Sequence, residues 1–173
     1  MSLINGNWSF GIIPLLIYKK GAIIVNMLND VIGKFKMRNV FRIYLQENQW
    51  KSANTTNFLR ILDKTVPHEA FPYSKFLSTW LYQGSHPIVF IDFDTNTNEF
   101  CLSQLPKRGE VNSRWFIPIW VECLLGTVNE TLFWIYPNEH LFIKLRRVTK
   151  HNTTDVVAFN RNKSVYYQIL PRY

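Results

Sequence analysis

The hydrophobic period changes once along the chain, at Gly84, and that change limits the architecture more than any other feature. Before it, apolar residues recur at helical spacing. From Pro14 to Ile32, the residues Leu15, Leu16, Ala22, Ile23, Val25, Met27, Leu28, Val31 and Ile32 leave only a narrow polar strip, as in a helix buried on most sides. Pro14 suits a first helical position and Gly33 a stop. Further helices are expected over Val40 to Gln46, over Asn57 to Leu62 behind an N-cap from Asn54-Thr55, and over Tyr73 to Tyr82. Pro67 and Gly84 act as terminators.

After Gly84 the pattern becomes short β-branched and aromatic runs. Pro87 to Phe93 and Glu99 to Leu105 flank the polar turn Asp94-Thr95-Asn96-Thr97-Asn98, which predicts a hairpin. Further strands are expected over Trp115 to Cys123, Thr131 to Tyr136, Leu141 to Arg146, Asp155 to Phe159 and Val165 to Leu170, with turn signals between them. Closely spaced short strands suggest a small antiparallel β-sandwich. The expected class is therefore α+β, with a helical unit over 1–84 and a strand unit over 85–173.

Among the 173 residues, 47% are hydrophobic, 16% aromatic and only 18% charged, which argues for a packed chain and against disorder. So low a charge fraction also implies apolar surface that faces a partner or another domain. The net charge of +8 permits nucleic-acid binding, so clustering decides. Lys19-Lys20, then Lys34, Lys36, Arg38 and Arg42, then Lys144, Arg146, Arg147 and Lys150 are short groups beside apolar residues, as on solvated faces. Nucleic-acid binding is not supported. Phe10 to Ile17 is too short to span a bilayer, is interrupted by Lys19-Lys20 and lacks the basic start and cleavage site of a signal peptide.

Asn7, Asn54, Asn129, Asn152 and Asn162 each begin an N-glycosylation sequon, more than chance predicts, which favours an extracellular setting. A glycosylated chain without a signal of its own points to a portion of something longer. Cys101 and Cys123 have no C-x-x-C spacing; both fall in expected strands, where a cross-strand disulfide or two buried thiols would fit.

Spacing alone supplies no active site. His68, His86, His140 and His151 never stand at i, i+4, the spacing that puts two imidazoles on one helical face for zinc. There is no nucleophile elbow, no phosphate-cradling glycine loop and no cysteine with a catalytic partner.

Five blocks, in order, nonetheless resemble the aminopeptidase N family of zinc aminopeptidases. Tyr18-Lys19-Lys20-Gly21-Ala22 with Asn26-Met27-Leu28 resembles its Y-x-K-G-A…M-L signature. Tyr44-Leu45 followed by Asn54-Thr55-Thr56-Asn57-Phe58-Leu59 resembles the Y-L pair and the N-A-T-x-x-D-L-W helix. Thr79-Trp80-Leu81-Tyr82-Gln83-Gly84-Ser85-His86-Pro87-Ile88-Val89 resembles T-W-x-x-Q-x-G-x-P-V, where the catalytic domain passes into the sandwich. Trp115-Phe116-Ile117-Pro118-Ile119 resembles the W-x-I-P-I strand, and Phe159-Asn160 with Tyr166-Tyr167-Gln168-Ile169 the motif that closes the sandwich.

The resemblance implies the helical C-terminal part of a thermolysin-like catalytic domain followed by a β-sandwich, in an enzyme that removes N-terminal residues from peptides. In that family zinc is held by two histidines and a glutamate, and the H-E-x-x-H glutamate activates a water. A tyrosine hydroxyl stabilises the oxyanion. By motif position that tyrosine is Tyr18. The chain departs from the family in having no H-E-x-x-H, no downstream glutamate ligand and no G-A-M-E-N segment. Lys19, Gly84 directly after Gln83, Gln168, and Leu170-Pro171 also depart from its motifs.

The expectation is a fragment or truncated member that binds no zinc by itself and hydrolyses nothing alone. Its partners would be the remaining aminopeptidase domains and, in the full-length family, peptide substrates; its setting would be an extracellular or membrane-anchored ectodomain. The alternative is a degenerate member serving as an extracellular interaction module, with Trp115, Trp120 and Trp134 meeting a protein partner.

Overall fold

The computed structural model describes residues 13–67, 70–108, 111–123, 130–144 and 157–172. The chain divides into two compact units, Met1–Gln83 and Gly84–Tyr173.

In the first unit α1 (Ile13–Ile32) buries, among its described side chains, the stripe Lys20, Ile24, Met27, Leu28 and Ile32, at the i, i+4, i+7, i+8 spacing of one helix face. Each buried Ile, Leu or Met there contributes roughly 1.5–3 kcal/mol of apolar transfer. The sequence predicts burial on most sides, but within this unit Tyr18, Ala22 and Val25 are exposed.

Gly33 joins α1 to α2 (Lys34–Glu47) directly. Its φ of 84° lies where only glycine is unstrained; its N–H donates to Asn29 O at 2.9 Å and its carbonyl accepts from Met37 N at 3.0 Å. One residue thus ends one helix and starts the next, which is why α2 begins well before the expected Val40. In α3 (Thr55–Thr65), Asn54 caps the N-terminus by accepting from Asn57 N at 2.7 Å. Asn57 Nδ2 in turn donates to Asn48 Oδ1 at 2.8 Å, tying α3 to the C-cap of α2. Asp63 Oδ1 accepts from Ser74 N in the first turn of α4 (Tyr73–Leu81), which buries Tyr73, Phe76, Leu77 and Trp80.

The second unit holds seven strands: β1 (Pro87–Asp94), β2 (Glu99–Pro106), β3 (Ile117–Cys123), β4 (Glu130–Ile135), β5 (Leu141–Lys144), β6 (Val157–Phe159) and β7 (Gln168–Pro171). They form a four-stranded sheet in the order β5-β2-β1-β7 and a three-stranded sheet in the order β4-β3-β6. The β1–β2 hairpin closes on Asp94, whose carboxylate accepts from Asn96 N at 2.8 Å, and Asn98 takes a φ of 55°. One pairing departs from the expected antiparallel pattern: β7 runs parallel to β1, from Ile88↔Gln168 to Ile91↔Pro171.

The two sheets share an interior, where Phe100 of β2 meets Phe159 of β6 edge-on at 5.4 Å between centroids. Buried Gln104 of β2 bonds both backbone groups of Trp115, donating to its carbonyl at 2.8 Å and accepting from its N–H at 2.9 Å. Trp115 and Phe116, expected in a strand, precede β3, and Trp115 is fixed by a side chain instead of a ladder. Trp115 and Trp120 are 1% and 4% exposed, so they are core residues and not the partner-facing aromatics that an interaction module would need. Tyr167 is buried as well: its hydroxyl donates to Pro118 O and accepts from Asn160 Nδ2 at 2.9 Å, holding the β6–β7 loop against β3.

Candidate functional site

Tyr18 lies in the second turn of α1 and is 76% exposed. Two positions on, the helix has turned by more than half, and Lys20 is 7% exposed on the opposite face. Its Nζ donates to Gln83 O at 3.2 Å, just beyond the C-terminus of α4, where a helix accumulates partial negative charge. Burial lowers its pKa to about 8, because the ammonium loses hydration. The structure therefore divides the Tyr18-Lys19-Lys20-Gly21 block into an exposed hydroxyl and a buried anchor. The anchor could not be read from sequence, since Lys19 and Lys20 look alike there and only the packing of α1 on α4 distinguishes them.

Gly21 is not needed for packing inside this unit: a Cβ built on it would meet nothing within 4 Å. It lines an apolar groove of about 400 Å³ with Ile24, Val25 and Leu28 of α1, Phe58 of α3 and Leu77 of α4. Tyr18 is thus on a helix with one face packed and an apolar groove still open beside it.

The described residues do not suit zinc. Among the described residues there is no group of three His, Cys, Asp or Glu side chains that could hold a metal ion. His86 packs its ring on Tyr166 at 5.4 Å, and His140 Nδ1 lies 3.7 Å from Cys101 Sγ. Cys101 carries a free thiol, and its strand β2 and the strand β3 of Cys123 belong to different sheets. Burial and the Asp92 carboxylate raise the thiol's pKa, against the Arg172 guanidinium, which favours the thiolate. The Cys123 side chain lies outside the described residues.

Of the sequon asparagines, Asn54 and Asn162 are exposed, the first as the α3 cap and the second in a turn with a φ of 58°. Asn7, Asn129 and Asn152 lie outside the described residues, as do His68 and His151. No helix among the described residues is long and apolar enough to cross a membrane.

Comparison with known proteins places this geometry. Residues 10–80 match the peptidase family M1 domain. Glutamyl aminopeptidase of Rattus norvegicus is 32% identical over 124 residues, which are 68% of this chain and 13% of the relative. Glutamyl aminopeptidase of Bitis rhinoceros is 26% identical over 159 residues, 88% of this chain and 16% of that protein. The solved structure of Legionella pneumophila aminopeptidase A in complex with aspartic acid superposes with a TM-score of 0.68 at 18% identity, over 91% of this chain and 18% of that one. At that identity the likeness is one of fold. The chain spans 13–16% of the length of these two relatives. With the matched stretch covering α1 to α4 and the α+β fold shared beyond it, the chain is a member of the M1 aminopeptidase family.

Proposed function

We propose that this chain is a fragment or truncated form of a zinc aminopeptidase, comprising the end of its catalytic domain (1–84) and its β-sandwich (85–173). It would contribute Tyr18 to a peptide-hydrolysing site completed by residues outside this chain. The observation that carries the proposal is the exposure of Tyr18 on a helix whose opposite face is anchored by Lys20. A hydroxyl acts as an oxyanion donor only if it already stands where charge develops, and α1 supplies that rigidity. The Lys20 anchor and the Met27-Leu28 stripe hold the helix, leaving the Tyr18 O–H to donate toward the substrate carbonyl oxygen. The zinc and the water-activating carboxylate would belong to the rest of the enzyme, and the exposed Val25 and the open groove beside Gly21 are surface for it to cover. The setting would be an extracellular or membrane-anchored ectodomain, with glycans on sequons such as Asn54 and Asn162.

In the complete enzyme, Tyr18→Phe should lower kcat for an amino-acid anilide by about 10²–10³-fold and change KM little. An unchanged kcat, stoichiometric zinc in the isolated chain, or anilide turnover by that chain would each overturn the proposal.

A second reading, a degenerate member acting as an extracellular interaction module, has Phe35 and Trp50 in its favour, at 89% and 95% exposed. Upstream coding sequence carrying an in-frame H-E-x-x-H would count against it.

A further inference from the structure

The strand unit contains a second depression, of about 310 Å³, that the family motifs do not touch. It opens because the β2–β5 ladder stops at Leu102↔Leu141, and the chain entering β5 through Asn138, Glu139 and His140 stands away from β2. By strand alternation Ser103 faces the same side of the sheet as Cys101, opposite the interior Phe100, Leu102 and Gln104. Ser103 is 9% exposed and lines the groove, and no protein group among the described residues bonds its hydroxyl. That oxygen is open to the groove, where it can donate to a ligand acceptor.

Charges of both signs surround it. Arg172 crosses the neighbouring strand, with its guanidinium 5.8 Å from the Phe90 ring centroid and Nη1 3.7 Å from Asp92 Oδ2. Arg114 is fixed at the other end by donating Nη1 to Val111 O at 2.7 Å and to Ser113 O at 2.8 Å. Glu139 is exposed at the rim. Two guanidinium groups and a serine hydroxyl recognise a carboxylate. A bare anion would be opposed by Glu139, whereas a ligand that also carries an ammonium group would meet it favourably. The volume is at the small end of ligand pockets, which run from roughly 300 Å³ upward.

The geometry points to this groove as a binding site for a small zwitterion of the α-amino-acid class. The carboxylate would be held by Ser103, Arg114 and Arg172, and the ammonium by Glu139. Binding there requires no peptidase activity, so it stands or falls apart from the role proposed for Tyr18.

The test is an NMR titration of the ¹⁵N-labelled full chain with L-alanine, propionate and ethylamine, following the amides of 103–105 and 138–140. L-Alanine should bind saturably, with propionate about tenfold weaker because it lacks the partner for Glu139. Glu139→Gln should remove that preference, weakening L-alanine and tightening propionate as the opposing charge is lost, and Ser103→Ala should weaken both by about fivefold. Amides elsewhere in the spectrum report whether each variant is folded. Equal affinity for L-alanine and propionate, no saturable shift with L-alanine, or L-alanine binding unaltered in both variants would overturn the assignment.

Discussion

Tyr167→Phe removes one oxygen atom from the strand unit and keeps the ring, so its effect isolates the hydrogen bonds of a buried phenol. The wild-type hydroxyl donates to Pro118 O and accepts from Asn160 Nδ2 at 2.9 Å. Asn160 is further engaged: its Oδ1 accepts from Trp120 N at 3.0 Å, and its own N–H donates to Trp120 O at 2.8 Å. Phenylalanine leaves a carbonyl and an amide without their partner, at about 1–3 kcal/mol for each group that water cannot reach. Asn160 is only half-buried and can recover part of its loss from solvent, so the expected destabilisation is about 2–3 kcal/mol. Urea denaturation of the full chain, followed at the Trp120 amide, should show the midpoint falling by roughly 1–2 M. Asn160→Ala should cost as much or more, and the double variant should fall short of the sum by about 1 kcal/mol, since the two side chains share a bond. The alkaline limb is a second readout. Burial pushes the Tyr167 phenol well above its usual value. Below pH 10 both states keep the proton; above it the unfolded chain ionises first, so the wild type loses stability there and the phenylalanine variant loses less. A loss under about 0.5 kcal/mol, or strict additivity with Asn160→Ala, would refute the view that this hydroxyl locks the β6–β7 loop to β3.

The helical unit offers two further tests. The Lys20 ammonium, held at about pKa 8 in the fold and near 10.5 when unfolded, gives no pH slope below 8 and increasing stability from 8 to 10.5, where the unfolded state binds the extra proton; Lys20→Met should abolish that rise in denaturant titrations monitored at the Trp80 amide. Asn54→Ala should destabilise α3 by about 1 kcal/mol through loss of the bond from Asn57 N, seen as faster amide exchange in its first turn, whereas Asn54→Asp should preserve it.

What the sequence disclosed followed how local each signal is. Gly33 and Asn54 carry their structural roles in their own chemistry, a left-handed φ and a side-chain acceptor, and both junctions fall where they were expected. The alternating runs marked most strands to within a residue or two. Trp115 looks like a strand residue but is held by Gln104, eleven positions earlier, an interaction with no local trace. The parallel β1–β7 pair has the same alternation as an antiparallel one, so its direction depends on the path of the chain between the strands. The same reasoning separates the two sites. Tyr18 was legible because a contiguous block of residues resembles a family motif. The groove at Ser103 was not, because Arg114, Glu139 and Arg172 come from separate loops that only the sheet brings together.

α1 must satisfy two requirements with one helix. Its hydrophobic residues run almost all the way round, yet among its described side chains the buried ones form the stripe from Lys20 to Ile32. A helix folding solely against α2 to α4 would gain from polar residues at Ala22 and Val25, which are exposed. Their apolar character, the room around Gly21 and the groove beside it are what a second packing surface on the same helix would require. Lys20 fits that division of labour. An ammonium buried at the end of α4 carries a desolvation cost that its bond to Gln83 O offsets, and that bond ties α1 to the end of α4. A rotation of α1 by even one residue, about 100°, would turn Tyr18 away from the direction it now faces. The buried lysine and the exposed tyrosine are therefore two ends of one constraint. If Tyr18 is the oxyanion donor, Lys20→Met in the complete enzyme should lower kcat while Tyr18 itself is intact; if kcat does not move, the orientation of α1 is set elsewhere.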